Sequence, residues 1–404
     1  MARSGKSRGS RAAIAVAAAL FAGTSAAGCG ALLGLGDVPV PADAGTQLEA
    51  GAPEAGPSLD AAPDAVIGAV DSSTNTIEAG PCGDTQSTGT NCGTCGHDCL
   101  GGACVSGACQ PFALVAPDSG VAPSILAQDD TYLYWTDYIN STVTRTDKTT
   151  GETLAMTGMT SLPEGIALDD AGIYWGDAVG VWRCPKASCM LDITLVSTEA
   201  NSAIHRLAVD DVGVYWTEEG AGAILTAPKE QQDQTPATLW EGDAATDDLV
   251  SDGQRVYFTA TDGWLHVVGV DGGGVLSVGG PSAGGSSSVT LDDGGVYWST
   301  EGTTSGTIER AQLSDLGDAQ DLAPAQQNPT AIASDGTHVY WLANATSQDG
   351  GATMGVFGCS IAACAPTLLA TGAALVWIVV DSAAVYWTDE GNRTTTGSVW
   401  KLAK

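Results

Sequence analysis

Beyond about residue 110, apolar and polar positions alternate in short runs, and one such run returns seven times. Between Asp210 and Gly220 it reads DDVGVYWTEEG. The other copies are DTYLYWTDY from Asp130, DDAGIYWGD from Asp169, SDGQRVYFTATDG from Ser251, DDGGVYWSTEG from Asp292, SDGTHVYWLAN from Ser334 and DSAAVYWTDEG from Asp381. Alternation with period two, bounded by Asp and Gly, predicts strands joined by tight turns. The tyrosines fall at 134, 174, 215, 257, 297, 340 and 386, so the period is 40 to 46 residues. At that length the β architecture is an array of four-stranded blades. The second unit parses as GIALDD, AGIYWGD, VGVWRCPK and DITLVST, one strand each. The expected fold is therefore all-β, a seven-bladed β-propeller over residues 111–404.

Two details of the repeat support a ring. Adjacent residues of a strand point to opposite faces, so the Tyr-Trp pair needs cover on both sides, which neighbouring blades provide. The last copy ends in GSVWKLAK, which supplies only a third strand, and a missing fourth would leave an open edge. The unassigned run Phe112 to Ala116, placed as the outer strand of the last blade, closes the circle. The repeated aspartates invite a calcium reading. Their recurrence at a hairpin is better explained by the turn, where Asp bonds nearby backbone and Gly supplies positive φ.

The motif at Tyr134-Trp135-Thr136-Asp137 and Tyr386-Trp387-Thr388-Asp389, with the variants YWGD, YWTE and YWST, resembles that of YWTD propellers. LPEGIALDDAGIYW, Leu162 to Trp175, is similar to an NHL-type or streptogramin-lyase-like blade. YWTD propellers typically have six blades and bind proteins, whereas seven copies stand here. A Cys-rich run followed by such a propeller resembles lipoproteins of Gram-negative bacteria.

Residues 1–28 carry four basic residues, an apolar run from Ala12 to Gly23 and small residues before Cys29. About twelve apolar residues are too few to span a bilayer, so the segment reads as an export signal. Ala26-Ala27-Gly28-Cys29 resembles a lipobox. That resemblance implies cleavage before Cys29, acylation of Cys29 (palmitate and related chains) and anchoring in the outer membrane, facing the periplasm or the surface. Residues 29–80 are Ala, Gly, Pro, Ser and acidic residues without Lys or Arg, a composition expected to stay disordered and to reach on the order of 40 Å. Residues 81–110 hold Cys82, Cys92, Cys95, Cys99, Cys104 and Cys109, with His97 among them. An oxidising compartment favours disulfides over zinc or an iron–sulfur cluster. With Cys29 set aside the remaining ten cysteines are even in number, as disulfides require. Connectivity within the six stays open. Cys184 with Cys189, and Cys359 with Cys364, are each expected to staple a local hairpin.

Charge removes one class of partner. The chain has 47 acidic and 15 basic residues, and four of the basic ones would leave with the leader. Phosphate backbones are bound by Lys and Arg, so nucleic acid is not an expected partner. Propellers tend to bind ligands where the loops leading into each first strand converge. Those loops hold Glu164, Asn201, His205, Asp247, Asp248 and Asn328, the candidate ligand-binding residues. None recurs from blade to blade, and none has the spacing of a metal set or a G-x-S-x-G elbow. The sequence thus favours a membrane-anchored, non-catalytic module that binds an envelope or extracellular protein or glycan, without a cofactor. The alternative is a lyase or hydrolase using Glu164 or His205 with a divalent cation at the channel mouth.

Overall fold

The computed structural model describes residues 83–404, apart from 159, 199–203, 219–221, 281–283, 303–305, 347–349 and 392–395. The export signal, Cys29, the linker, Cys82 and Asn201 lie outside the described residues. The described chain is β throughout, and its main body is seven four-stranded antiparallel sheets. In blade 1 the strands run Pro123–Gln128, Tyr132–Asp137, Thr142–Asp147 and Thr153–Ala155 from the axis outward. The other innermost strands are Ile166–Leu168, Ile204–Val209, Thr246–Ser251, Ser286–Leu291, Ala331–Ser334 and Leu375–Val380. Each packs against the innermost strands on both sides, the seventh against the first, so the ring is closed. In blade 7 the outer place is taken by Phe112–Val115, hydrogen-bonded to Ser398–Ala403. The clasp expected from the unpaired third strand is present.

The core explains the Tyr-Trp pair. The twelve largest fully buried side chains are six Trp, five Tyr and Phe258, all from the repeated motif. With Tyr297 and Tyr340 they sort into seven inter-blade clusters, each built on the Tyr of one blade and the Trp (or Phe) of the next. Tyr134 shares a cluster with Trp175, Tyr174 with Trp216 and Tyr215 with Phe258. Tyr257 is with Trp298, Tyr297 with Trp341 and Tyr340 with Trp387. Tyr386 joins Trp135 across the seam. Opposite faces of one strand therefore serve two different interfaces, and the ring has seven small cores in place of one large one.

The aspartates form the turns, as expected, and do more. In all seven copies the Asp five residues before the Tyr accepts two backbone N–H bonds within its own turn, for example from Ala171 and Gly172 to Asp169. The same carboxylate receives the tyrosine hydroxyl, at 3.0 Å from Tyr134 to Asp129 and 2.9 Å from Tyr174 to Asp169. A lysine after the third strand of the next blade then closes on it: Lys148 on Asp381, Lys186 on Asp129, Lys229 on Asp169 and Lys404 on Asp335. Burial pushes these carboxyls up. The N–H, hydroxyl and ammonium donors outweigh it and hold them below the usual range. The role expected for glycine needs correcting. Gly253 and Gly336 adopt positive φ, but Gly213 and Gly295 do not. Those two are small because a Cβ would meet Ala227 O at 2.9 Å or Ala311 O at 2.7 Å, a carbonyl of the third strand in each case.

The Cys-rich segment is joined by Cys92–Cys104 and Cys99–Cys109, and Cys95 is disulfide-bonded too. The sulfurs of Cys92, Cys99 and Cys109 lie close enough to hold a metal, but those bonds leave none of them a thiolate. His97 is spent on carbonyls, Nδ1 on Cys92 O at 2.7 Å and Nε2 on Lys404 O at 2.6 Å. Leu100 and Phe112 pack into the blade 7–blade 1 core, so the segment sits beside the seam that the clasp closes. Cys184–Cys189 and Cys359–Cys364 staple the hairpins between third and outer strands of blades 2 and 6.

Candidate functional site at the channel mouth

The end of the ring away from the Asp turns is shaped by a recurring irregularity. The innermost strands of blades 1, 3, 4, 5 and 7 slip in register near their starts, between Ile204 and Arg206 in blade 3 for example. The Thr that follows Tyr-Trp holds that bulge. Its hydroxyl accepts the free N–H, as from Ile125 to Thr136, Arg206 to Thr217 and Trp377 to Thr388. It then donates to a carbonyl of the next blade: Thr136 to Glu164, Thr217 to Asp247 and Thr388 to Ser124, at 2.8–3.1 Å. One hydroxyl thus re-aims the strand and links two blades. The residues it fixes, Ser124, Glu164, Arg206 and Asp247, are those that surround the mouth.

A cavity of about 300 Å³ opens there. Blade 1 supplies Ser124, Ile125 and Tyr138, blade 2 Pro163 and Glu164, blade 3 His205 and Arg206, and blade 7 Val376 and Glu390. His205 Nδ1 lies 3.3 Å from Asp247 Oδ1 in blade 4. Burial, then the Arg206 charge, pushes the imidazole down to about 4. Burial also pushes the Asp247 carboxyl up to about 7, partly opposed by Arg206 and reinforced by Asp248 and Glu301. Between those values the pair holds one titrating proton across the 3.3 Å contact. Arg206 donates to His205 O at 3.1 Å, and its guanidinium sits 4.8 Å from the Trp377 ring centroid. Its buried Nε finds no acceptor among the described residues.

The structure brings together some of the residues picked from sequence. Glu164 and His205 line the cavity, and Asp247 backs His205. Asp248 is buried and turned elsewhere, accepting from Ser288 Oγ and Val289 N of blade 5 and from Leu249 N. It replaces, between blades 4 and 5, the link that Thr makes elsewhere. Asn328 has φ of 49° and donates its N–H to Gly302 O, a turn position outside this cavity. Arg206, Tyr138 and Glu390 were missed. Arg206 hid inside a strand pattern, while Tyr138 and Glu390 lie in loops between second and third strands, which also reach the mouth.

Two larger recesses, of about 680 and 940 Å³, open around the Asp turns. Among their charged groups, Asp129, Asp169 and Lys186 in one and Asp335 and Lys404 in the other are paired within the fold. The mouth is smaller, but it brings charged side chains of both signs from several blades to one cavity.

No family model matches the chain, and no curated protein matches it. Solved structures do. A streptogramin B lyase structure overlays with TM-score 0.56 at 11% identity, over 73% of this chain and 97% of that one. The U3-55K structure gives 0.56 at 12%, over 73% and 98%. Hydrazine synthase of Kuenenia stuttgartiensis gives 0.55 at 12%, over 70% and 96%. At such identities the likeness shows the fold alone. The chain is a β-propeller. An enzyme stands among its structural neighbours, so the architecture by itself does not choose between catalysis and binding.

Proposed function

We propose that the protein is exported, anchored to the outer membrane through an acylated Cys29, and presents its propeller as a non-catalytic module binding an envelope or extracellular protein or glycan at the channel mouth. One observation carries the reading. Side chains from four blades line one cavity, and they combine two carboxylates, a guanidinium, an imidazole and Tyr138, which is about half exposed. A concave site with a few converging polar groups on a rigid frame is what recognition of a polar ligand requires. The chemistry for turnover is weaker. An imidazole held near 4 is a poor base at neutral pH, where efficient acid–base groups titrate close to the working pH.

The anchor is tested by labelling cells with an alkynyl palmitate analogue: the full-length chain takes the label and Cys29→Ala does not. The site is tested with envelope extracts and glycan arrays. Glu164→Gln with Arg206→Gln should weaken capture roughly 10-fold or more, the scale of a lost charged contact, with little change in melting temperature. Undiminished capture would remove the mouth as the site.

The enzyme reading retains one supporting observation, that Glu164 and His205 line the same cavity. A lyase or lactonase of this kind would use a divalent cation there. Lactone or macrocycle opening that needs such an ion and disappears in both Glu164→Gln and His205→Gln would establish it. Activity indifferent to both changes would end it.

A further inference from the structure

The four histidines have different surroundings. His97 bonds two carbonyls, and His205 faces Asp247. His338 meets the Thr337 hydroxyl. His266, alone among the described residues, has a carboxylate at one ring nitrogen and a hydroxyl at the other. Its Nε2 lies 3.0 Å from Asp262 Oδ2, and its Nδ1 lies 3.2 Å from Ser277 Oγ.

The fold fixes all three groups. Blade 4 is the one copy in which Phe replaces the motif Trp. Its second strand, Arg255–Ala260, sets Phe258 opposite His266 of the third strand, Leu265–Gly269. The two rings stack with centroids 5.2 Å apart, and Trp240 of blade 3 adds a further ring at 5.4 Å. The imidazole is therefore buried and held. Asp262 is exposed in the turn before the third strand, where its Oδ1 also accepts the Trp264 N–H. Ser277 stands directly opposite His266 on the outer strand, Leu276–Val278, and is exposed. The base is fixed, and the nucleophile meets solvent.

The hydrogen positions follow from the partners. A carboxylate only accepts, so in the neutral ring Nε2 carries the hydrogen and Nδ1 keeps its lone pair. The Ser277 hydroxyl then donates to Nδ1. This order of roles, carboxylate, imidazole, hydroxyl, is the one that activates a serine. The ladder supplies one further group. Val270 donates its N–H to Gln254 O, toward the second strand, and Gly269 donates to Gly273 O, toward the outer strand. Alternation turns the His266 N–H toward the second strand and the N–H of Ser277, its partner opposite, off the outer edge of the blade. A nucleophilic serine's own N–H is a usual donor to the oxyanion.

We propose that Ser277, His266 and Asp262 form a nucleophilic site on the outer part of blade 4, apart from the mouth cavity, that opens esters of small acyl groups. Ser277 Oγ bonds to the acyl carbon as its proton passes to His266 Nδ1, and the Ser277 N–H meets the oxyanion. The bond from the acyl carbon to the alcohol oxygen breaks, and the alcohol leaves with that proton. Water then attacks the acyl-serine through the same imidazole, releasing the acid and restoring Ser277. Ester and water become acid and alcohol. Asp262 acts through the imidazole and is a positioning residue. Val275 and Leu276, each 51% exposed, offer apolar contact beside the serine. On so open a rim only a short acyl group, such as acetyl, is gripped. Recognition at the mouth does not depend on this site.

The test treats the full mature chain with a fluorophosphonate probe, whose P–F bond the serine oxygen displaces, and maps the adduct by mass. Ser277 should react about 100-fold or more faster than any other serine, the scale of general-base assistance. Ser277→Ala should abolish this adduct, together with hydrolysis of p-nitrophenyl acetate above background, at unchanged melting temperature. Asp262→Asn, at an exposed position that keeps the fold, should lower kcat about 10-fold or more with KM unchanged, and Asp262→Glu should restore part of it. Glu164→Gln with Arg206→Gln at the mouth should leave labelling as it was. Absence of a Ser277 adduct would overturn the assignment. So would labelling indifferent to both Asp262→Asn and His266→Gln, or ester hydrolysis undiminished in Ser277→Ala.

Discussion

The two ends of the ring are made from the same seven strand pairs and arrange charge differently, by repetition at one end and by unrepeated residues at the other. At the turn end the pattern recurs around the ring: an Asp, its own turn N–H groups, a tyrosine hydroxyl and, in four interfaces, a neighbouring lysine. Each repeated Asp carboxylate there has fixed partners. At the mouth only the backbone device recurs, a Thr hydroxyl tying bulge to neighbouring blade. The side chains it presents, Glu164, His205, Arg206 and Glu390, differ from blade to blade. Repetition marks what the fold needs, and its breakdown marks where the molecule is free to recognise something.

The largest effect that would sharpen this contrast lies between the ends, in the shared cores. Trp298→Ala removes a fully buried ring from one inter-blade cluster and should cost about 3–5 kcal/mol in denaturant unfolding. A loss below about 1 kcal/mol would mean that the cores are not what closes the ring.

Next come the two single changes of the His205–Asp247 pair. Unfolded, His titrates near 6.5 and Asp near 3.9; folded, they sit at about 4 and about 7. From about pH 4 to 6.5 both states bind one proton, on His when unfolded and across the pair when folded, so the pair leaves stability flat. Asp247→Asn leaves only the depressed histidine, whose contribution is full above the unfolded value and is lost as pH falls, so stability should rise with pH. His205→Gln leaves only the raised carboxyl, whose contribution is full at low pH and is lost as pH rises toward 7, so stability should fall. Each slope approaches at most about 1.4 kcal/mol per pH unit, less for partial solvent exposure. Parallel slopes in the two variants would contradict the shared proton.

A smaller effect belongs to the turn end. Lys229→Met removes the donor that blade 3 offers Asp169 and should cost about 1–2 kcal/mol, with the tyrosine and turn bonds left in place. Because the clasped carboxyls are held below their usual range, their contribution is complete above about pH 4 and is lost below it. Acid sensitivity there should shrink in Lys229→Met. The smallest effect is the most telling: Glu164→Gln at the mouth should change stability by less than about 0.5 kcal/mol.

How much of this could be read in the chain depends on whether the information is local. Blade number, clasp and buried ring pairs were legible because each copy repeats the same few neighbouring residues. The lysine clasp was equally local and was passed over: DK, PK, PK and AK close the third strands at Lys148, Lys186, Lys229 and Lys404. The role of Thr136, Thr217 and Thr388 was not legible, since each hydroxyl bonds a carbonyl in another blade. Asp247 and Asp248 look alike in sequence. One backs the mouth and the other is a buried cross-link, a difference that accompanies a one-residue register slip in their strand.

The central claim, that the unrepeated end meets the ligand, is tested most directly by a photoreactive benzophenone amino acid placed in the full-length chain in intact cells, at Tyr138 on the mouth or at exposed Asp130 on the turn end. The account predicts a discrete covalent adduct with an envelope protein or glycan from Tyr138, lost when Glu164→Gln and Arg206→Gln are added, and none from Asp130. An adduct from Asp130 with nothing from Tyr138 would place recognition at the wrong end and contradict it.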